Sequence, residues 1–228
     1  MTGDGGHERA LRDLGLGDDD LAAWCASGLA DDRFEEWLVD RVARRPSGAR
    51  ARRVYGAEDV HDFARRAILE TLALGPEDHL LEIGCGGGLL LREALAAGAR
   101  VTGIDHSQEM VELAHERAPD ADIILGDAAQ LPFGDHVFTA LAMSAVFFFL
   151  SDPIATLAEC RRVLTPGAGI AIFTTAPELR GTRAAPAPIA DHGHFYTEAE
   201  LARLARSAGL SDVAVDNDDG GQLLTATA

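Results

Sequence analysis

The run Glu82-Ile83-Gly84-Cys85-Gly86-Gly87-Gly88 joins two segments of different period. Before it, His79 to Ile83 is a short apolar run that reads as a buried strand; after it, a helix rich in leucine and alanine extends to Ala97. Where a strand enters a helix through glycines, bare backbone N–H groups and the positive helix end can approach a polar ligand closely. The turn alone leaves that ligand open. A dinucleotide fingerprint starting at Gly84 needs a sixth-position glycine, and Leu89 stands there. Asp105 closes the next strand, where its carboxylate can accept bonds from a ribose diol.

The same alternation continues to the C-terminus. A helix over Asp62 to Leu74 precedes the turn. After it come a strand from Arg100 to Ile104, a helix from Gln108 to Arg117, and strands at Asp122 to Leu125 and Val137 to Met143. Asp152-Pro153 opens a helix to Leu164, Pro166-Gly167 turns the chain, and Gly169 to Thr174 is a fifth strand. Beyond a Pro- and Ala-rich loop lie a helix from Thr197 to Ala208 and strands near Val213 and Leu223. Strands alternating with amphipathic helices imply an α/β fold with helices on both faces of a parallel sheet. Residues 1–53 stand apart as a helical N-terminal extension ahead of a domain over 54–228. Asp18-Asp19-Asp20 and Asp31-Asp32 offer helix-capping carboxylates, and Phe34, Trp37, Leu38 and Val42 share one face. Trp24 and Trp37 either pack this extension on the domain or belong to a lid over a pocket. No second core is expected.

The formal charge of -17 over 228 residues repels polyanions, so nucleic acid and anionic membranes are excluded as expected partners, and a small neutral or cationic substrate is easier to accommodate. All 20 basic side chains other than histidine are arginine, which rules out a lysine Schiff base and suggests a GC-rich bacterial genome. Cys25, Cys85 and Cys160 show no CxxC spacing, so neither disulfides nor a metal site is indicated. Met1 to Asp13 is polar where a signal peptide is apolar, and Phe147-Phe148-Phe149-Leu150 is too short to span a bilayer; a cytoplasmic location is the expectation.

Several segments in order resemble the class I S-adenosylmethionine-dependent methyltransferases, small-molecule branch. Leu80 to Gly88 is similar to their first motif, Val101-Thr102-Gly103-Ile104-Asp105-His106-Ser107 to the second, and Gly126 to Phe133 to the loop after the third strand. Cys160 to Gly167 and Phe195-Tyr196-Thr197 resemble later stretches, so the likeness runs from about Tyr55 to Val215. It implies a Rossmann-like, doubly wound seven-stranded sheet, mostly parallel with an antiparallel last strand. It also implies that S-adenosylmethionine is bound and leaves as S-adenosylhomocysteine. By that resemblance Gly84, Gly86 and Gly88 pass under methionine and ribose, Glu82 orients the turn and Asp105 holds the ribose hydroxyls. His106 lies along the adenine, Asp127 accepts from its amino group and the Ala128 N–H faces a ring nitrogen. Tyr55 and Met143 complete the expected cofactor contacts.

For the acceptor, Phe147 and Phe148 follow the fourth strand and Tyr196 holds a pocket-facing position of the family; these are the expected substrate contacts. His192, His194 and Tyr196 are the catalytic candidates, with His61 as a further histidine able to remove a proton. Two departures stand out. Thr139 follows Phe138 where many relatives carry an aspartate, and Met143 to Phe148 contains no acid, amide or histidine, so neither a metal-dependent catechol site nor an Asn-Pro-Pro-Tyr site is supported. Ala168 replaces the usual second glycine after Pro166. Methylation of a small molecule, in secondary-metabolite tailoring, is the leading expectation. A non-methylating cyclisation, elimination or decarboxylation on the same fold, and a non-enzymatic cofactor-binding module, remain open.

Overall fold

The computed structural model describes residues 4–58, 61–218 and 221–228. The strands are β1 (His79–Ile83), β2 (Arg100–Asp105), β3 (Asp122–Leu125), β4 (Phe138–Ser144), β5 (Leu164–Thr174), β6 (Ser211–Asp218) and β7 (Gly221–Thr227). They form one seven-stranded sheet in the order β3-β2-β1-β4-β5-β7-β6. Pairing is parallel except where β7 runs against β5 and β6. The order reverses between β1 and β4, which opens a crevice at their C-terminal ends, the place where such sheets bind ligands.

The helices are α1 (Asp4–Asp13), α2 (Asp18–Ser27), α3 (Phe34–Val39), α4 (Gly48–Tyr55), α5 (Asp62–Leu72), α6 (Leu89–Ala96), α7 (Gln108–Arg117), α8 (Pro153–Val163) and α9 (Glu198–Ser207). Side-chain alternation divides the core between them. Leu81, Ile83, Leu141, Met143, Ile170 and Ile172 face one side, against Leu157, Cys160 and Val163 of α8 and Leu201 and Ala205 of α9. Leu80, Ala140, Ala142 and Ala171 face the other, against Ile68, Leu90, Leu91 and Ala114 of α5, α6 and α7. Local chemistry sets the helix starts. Asp152 accepts from the Ala155 N–H at 2.9 Å, and Thr197 with Glu200 forms a reciprocal capping box. The expected turn at Pro166-Gly167 lies inside β5: Leu164 pairs with Phe138 across a register shift, and Gly167 takes a φ of 85°.

The extension differs more from expectation. Phe34 to Val42 is not one regular helix, because α3 passes into a π-turn over Asp40–Arg44 before α4 starts at Gly48. It also has an apolar core of its own, built from Leu11, Leu16, Trp24, Phe34, Leu38 and Val42. The Trp24 ring centroid lies 5.0 Å from that of Phe34 and 5.4 Å from that of Trp37, so the tryptophans hold the extension's helices to one another. Hydrogen bonds then fasten it beside β2. The Ser107 hydroxyl donates to the Pro46 carbonyl at 2.6 Å, and the Gly48 N–H donates to Glu109 at 2.8 Å. Arg117 donates to the Tyr55 and Gly56 carbonyls at 3.1 and 2.7 Å.

Candidate active site

The crevice at the β1/β4 reversal is a cavity of about 430 Å³, within the usual range for a small-ligand site. The glycine turn forms its floor. Gly84 (φ 68°) donates to the Ile104 carbonyl at 2.8 Å, and a Cβ on it would come 2.3 Å from the Val146 side chain. Gly87 is as confined, since a Cβ there would lie 2.6 Å from the Tyr55 carbonyl. At Gly84 and Gly87 bare backbone is therefore a steric necessity.

Asp105 stands at the end of β2 with one carboxylate oxygen bound by the Gly86 N–H at 2.9 Å and the other by the Ser107 N–H at 2.8 Å. Burial raises its pKa, and those backbone donors oppose the rise. Glu82, the last but one residue of β1, is 3% exposed, and its Oε2 has no hydrogen-bond partner among the described residues. Burial first, then the charge of Asp105, pushes its pKa well above the ordinary carboxylate range, against the pull of Arg65. Asp127 and Ala128 line the cavity at the end of β3; Asp127 uses one oxygen to accept from the Ala129 N–H at 2.9 Å. The His106 Nε2 meets the Arg44 carbonyl. Tyr55 lies over the turn, its ring 3.9 Å from where a Gly86 Cβ would stand, and burial pushes its hydroxyl up to about 12.

Of the residues expected from sequence, Tyr55, Glu82, Gly84, Gly86, Asp105, His106, Asp127 and Ala128 are thus brought to one cavity. Others are not. Gly88 (φ 77°) begins α6, where a Cβ would touch Ala114 of α7 at 3.0 Å, so it serves helix packing. Met143 points into the core on the α8 and α9 face and is fully buried. Phe147 and Phe148 turn into the protein, while Phe149, the third residue of that 3-10 turn, lines the cavity. Tyr196 packs edge-on against Phe147 at 5.7 Å and does not reach the cavity. Nor do the two loop histidines. His192 pairs with Glu35 at 3.0 Å, and the His194 backbone N–H donates to the Phe148 carbonyl at 2.7 Å. The histidine that lines the cavity besides His106 is His61, in a left-handed conformation (φ 50°) at the start of α5. Burial and then Arg65 lower its pKa, so its imidazole is neutral at ordinary pH.

Sequence reasoning missed the cavity wall supplied by the extension: Asp40, Ala43, Arg44, Arg45 and Pro46. A signal existed in Arg41, Arg44, Arg45, Arg50, Arg52 and Arg53, a basic cluster in an acidic chain. Arg65, one turn beyond His61 on α5, also lines the cavity and is tied to Glu93 and Asp62 at 2.7 and 2.8 Å. No group of three or more His, Cys, Asp or Glu side chains that could hold a metal occurs among the described residues. Among them, no helix is long and apolar enough to cross a membrane.

A family described as a methyltransferase domain matches residues 81–172, from β1 into β5. The demethylmenaquinone methyltransferase of Mycolicibacterium vanbaalenii is 32% identical over 183 residues, covering 70% of this chain and 79% of that protein. The chain belongs to the class I S-adenosylmethionine-dependent methyltransferases. Two solved structures extend the likeness to this methyltransferase fold. A chain of the complex between the Haloferax volcanii Trm112 methyltransferase activator and its methyltransferase is 25% identical, with a TM-score of 0.69 over 77% of this chain and 93% of that one. The cyclase SpnF is 25% identical, with a TM-score of 0.59 over 68% of this chain and 60% of its own. The chain spans between 46% and 61% of the length of the first four curated relatives it matches. The cofactor of the family is S-adenosylmethionine. The site fits it on chemical grounds: an orphaned buried carboxylate oxygen at Glu82, a glycine floor with no room for a Cβ at Gly84 and Gly87, and acids suited to an ammonium, a ribose diol and an adenine amino group.

Proposed function

We propose that this methyltransferase moves a methyl group to a small-molecule acceptor, in a tailoring step on a natural product. The observation that carries the reading is the orphaned Glu82 Oε2 beside a glycine floor, with Asp105 and Asp127 in the same wall. The bound cofactor supplies an activated methyl on a sulfonium, lost by in-line displacement. The chain's part is to position and to desolvate. Gly84, Gly86 and Gly87 give the close floor. Glu82 receives the ammonium, Asp105 the ribose hydroxyls and Asp127, through its second oxygen, the adenine amino group, with Ala128 and His106 beside the ring. Val146, Phe149 and Leu150, at the end of β4, offer an apolar surface to the acceptor. His61, neutral and on the cavity wall, is the group suited to take a proton from a hydroxyl or an acidic carbon. The extension over 1–53 serves as a lid whose π-turn completes the wall.

The likeness to a demethylmenaquinone methyltransferase supports a small-molecule acceptor. The likeness to a cyclase, with no acid, amide or histidine at the end of β4, favours as second reading a non-methylating reaction on the same fold. Incubation with cofactor bearing a deuterated methyl group and a bacterial metabolite extract separates the two. Methyl transfer gives a mass-labelled product with one S-adenosylhomocysteine released per label. Unlabelled product, formed without demethylated cofactor, supports the second reading instead.

A further inference from the structure

Arg117 ends α7, and its side chain, 10% exposed, does not line the cavity. It donates instead to three backbone carbonyls. Nη1 reaches those of Gly87 at 2.8 Å and Tyr55 at 3.1 Å, and Nη2 reaches that of Gly56 at 2.7 Å. The first belongs to the glycine turn. The other two close α4, at the end of a helix where carbonyls lack partners within the helix and its dipole is negative. One guanidinium thus joins the cavity floor to the end of α4. Its planar fork serves three acceptors at once, which a single ammonium on a flexible stem matches poorly.

The junction is tight. A Cβ on Gly87 would lie 2.6 Å from the Tyr55 carbonyl oxygen and 2.8 Å from Arg117 Nη1. The peptide after Gly87 is held on both sides, because its carbonyl accepts from Arg117 and its N–H, that of Gly88, donates to the Cys85 carbonyl at 2.9 Å. Tyr55 in turn lays its ring over Gly86, and its hydroxyl donates to the Val42 carbonyl of the extension at 3.5 Å. Arg117 therefore grips the floor and the residue that covers it together. We propose that Arg117 is a positioning residue: it fixes the separation of Tyr55 from the glycine floor, and so sets how tightly the cofactor is held without touching it. This rests on the proposed function, which places the cofactor on that floor.

The test is a calorimetric titration of the full chain with S-adenosylhomocysteine, in a double-mutant cycle of Arg117→Met and Tyr55→Ala. Arg117→Met is expected to weaken binding by about tenfold, and Arg117→Lys by less. In the Tyr55→Ala background no ring is left to position, so Arg117→Met is expected to cost only about twofold more. Beside Asp127→Asn, on the β3 side of the cavity, it is expected to keep its full tenfold. Where Arg117→Met shows no cooperative thermal transition, Arg117→Gln, which keeps a donor, is read by the same criteria. Binding by Arg117→Met within about twofold of the wild type overturns the proposal. So does a full tenfold cost in the Tyr55→Ala background, which makes Arg117 a support of the fold alone. If the wild type does not bind S-adenosylhomocysteine at all, the cofactor assignment fails and takes this inference with it. Wild-type binding that is indifferent to Arg117 removes this inference alone.

Discussion

The Gly86 N–H donates to one carboxylate oxygen of Asp105 at 2.9 Å, tying the floor of the cavity to the end of β2 nineteen residues away. With the Ser107 N–H on the other oxygen, Asp105 satisfies two backbone donors before any ligand arrives. Asp105→Ala leaves both without a protein acceptor and is expected to destabilise the unliganded chain by about 2 kcal/mol. Asp105→Asn keeps one acceptor and costs less. Urea unfolding of the three proteins checks the order; equal midpoints would show that the two bonds add nothing.

Gly84 and Gly167 both have positive φ, at 68° and 85°, but only Gly84 is crowded. A Cβ on Gly84 would stand 2.3 Å from Val146, whereas nothing lies within 4 Å of one on Gly167. Gly167→Ala therefore meets only the backbone penalty, about 1 kcal/mol. Gly84→Ala adds a clash and is expected to cost about 3 kcal/mol. Thermal unfolding separates them, and Val146→Ala in the Gly84→Ala background should restore part of the loss. Equal costs at the two sites would mean that Val146 yields freely.

The pH dependence of the unliganded protein follows from Glu82. Its folded pKa is raised, by burial above all, so the folded state holds a proton that the unfolded state releases. That contribution is complete below the ordinary carboxylate range and is lost as pH rises through the raised value. Asp105 shifts in the same direction and adds to the slope. Melting temperature is therefore expected to fall as pH rises above the ordinary carboxylate range, and less steeply in Glu82→Gln. Parallel curves for the two proteins would rule out Glu82 as the titrating group.

His192 and His194 lie outside the cavity, and the exposed pairing of His192 with Glu35 is worth less than about 1 kcal/mol. Alanine at either position should leave methyl transfer within about twofold, too little to signal lost proton transfer. His61→Asn should lower it by about a hundredfold where the acceptor must lose a proton. The deuterated-methyl assay reads all three. A large loss in His194→Ala with His61→Asn unaffected would return the proton-transfer role to the loop.

The strands and the glycine turn were legible because their chemistry is local. Alternating Leu81, Ile83 and Leu80 fix the faces of β1, and the missing Cβ at Gly84 and Gly86 marks the ligand side. Asp105 followed because it closes β2 beside that turn, and Asp127, two residues past β3, followed from the family resemblance. Where a side chain's position depends on distant chain, the reading failed. Loop composition around His192 and His194 says nothing about direction. Phe147 to Phe149 form a 3-10 turn, whose successive side chains diverge, so only the last meets the cavity. The extension's wall rests on contacts of long separation, Arg44 to His106 and Pro46 to Ser107, that no local pattern encodes. Its core was hidden for the same reason: Trp24 and Phe34 meet only after α2 and α3 fold back.

The cavity floored by Gly84, Gly86 and Gly87 and walled by Asp105 is expected to hold the family's cofactor. Calorimetric titration of the wild-type chain with S-adenosylhomocysteine, beside Asp105→Ala and with NAD as the rival ligand, is the decisive measurement. One saturable site per chain is expected, weakened by at least about tenfold in Asp105→Ala, with no saturation by NAD. No saturable binding of S-adenosylhomocysteine, or binding that Asp105→Ala leaves unchanged, would contradict it.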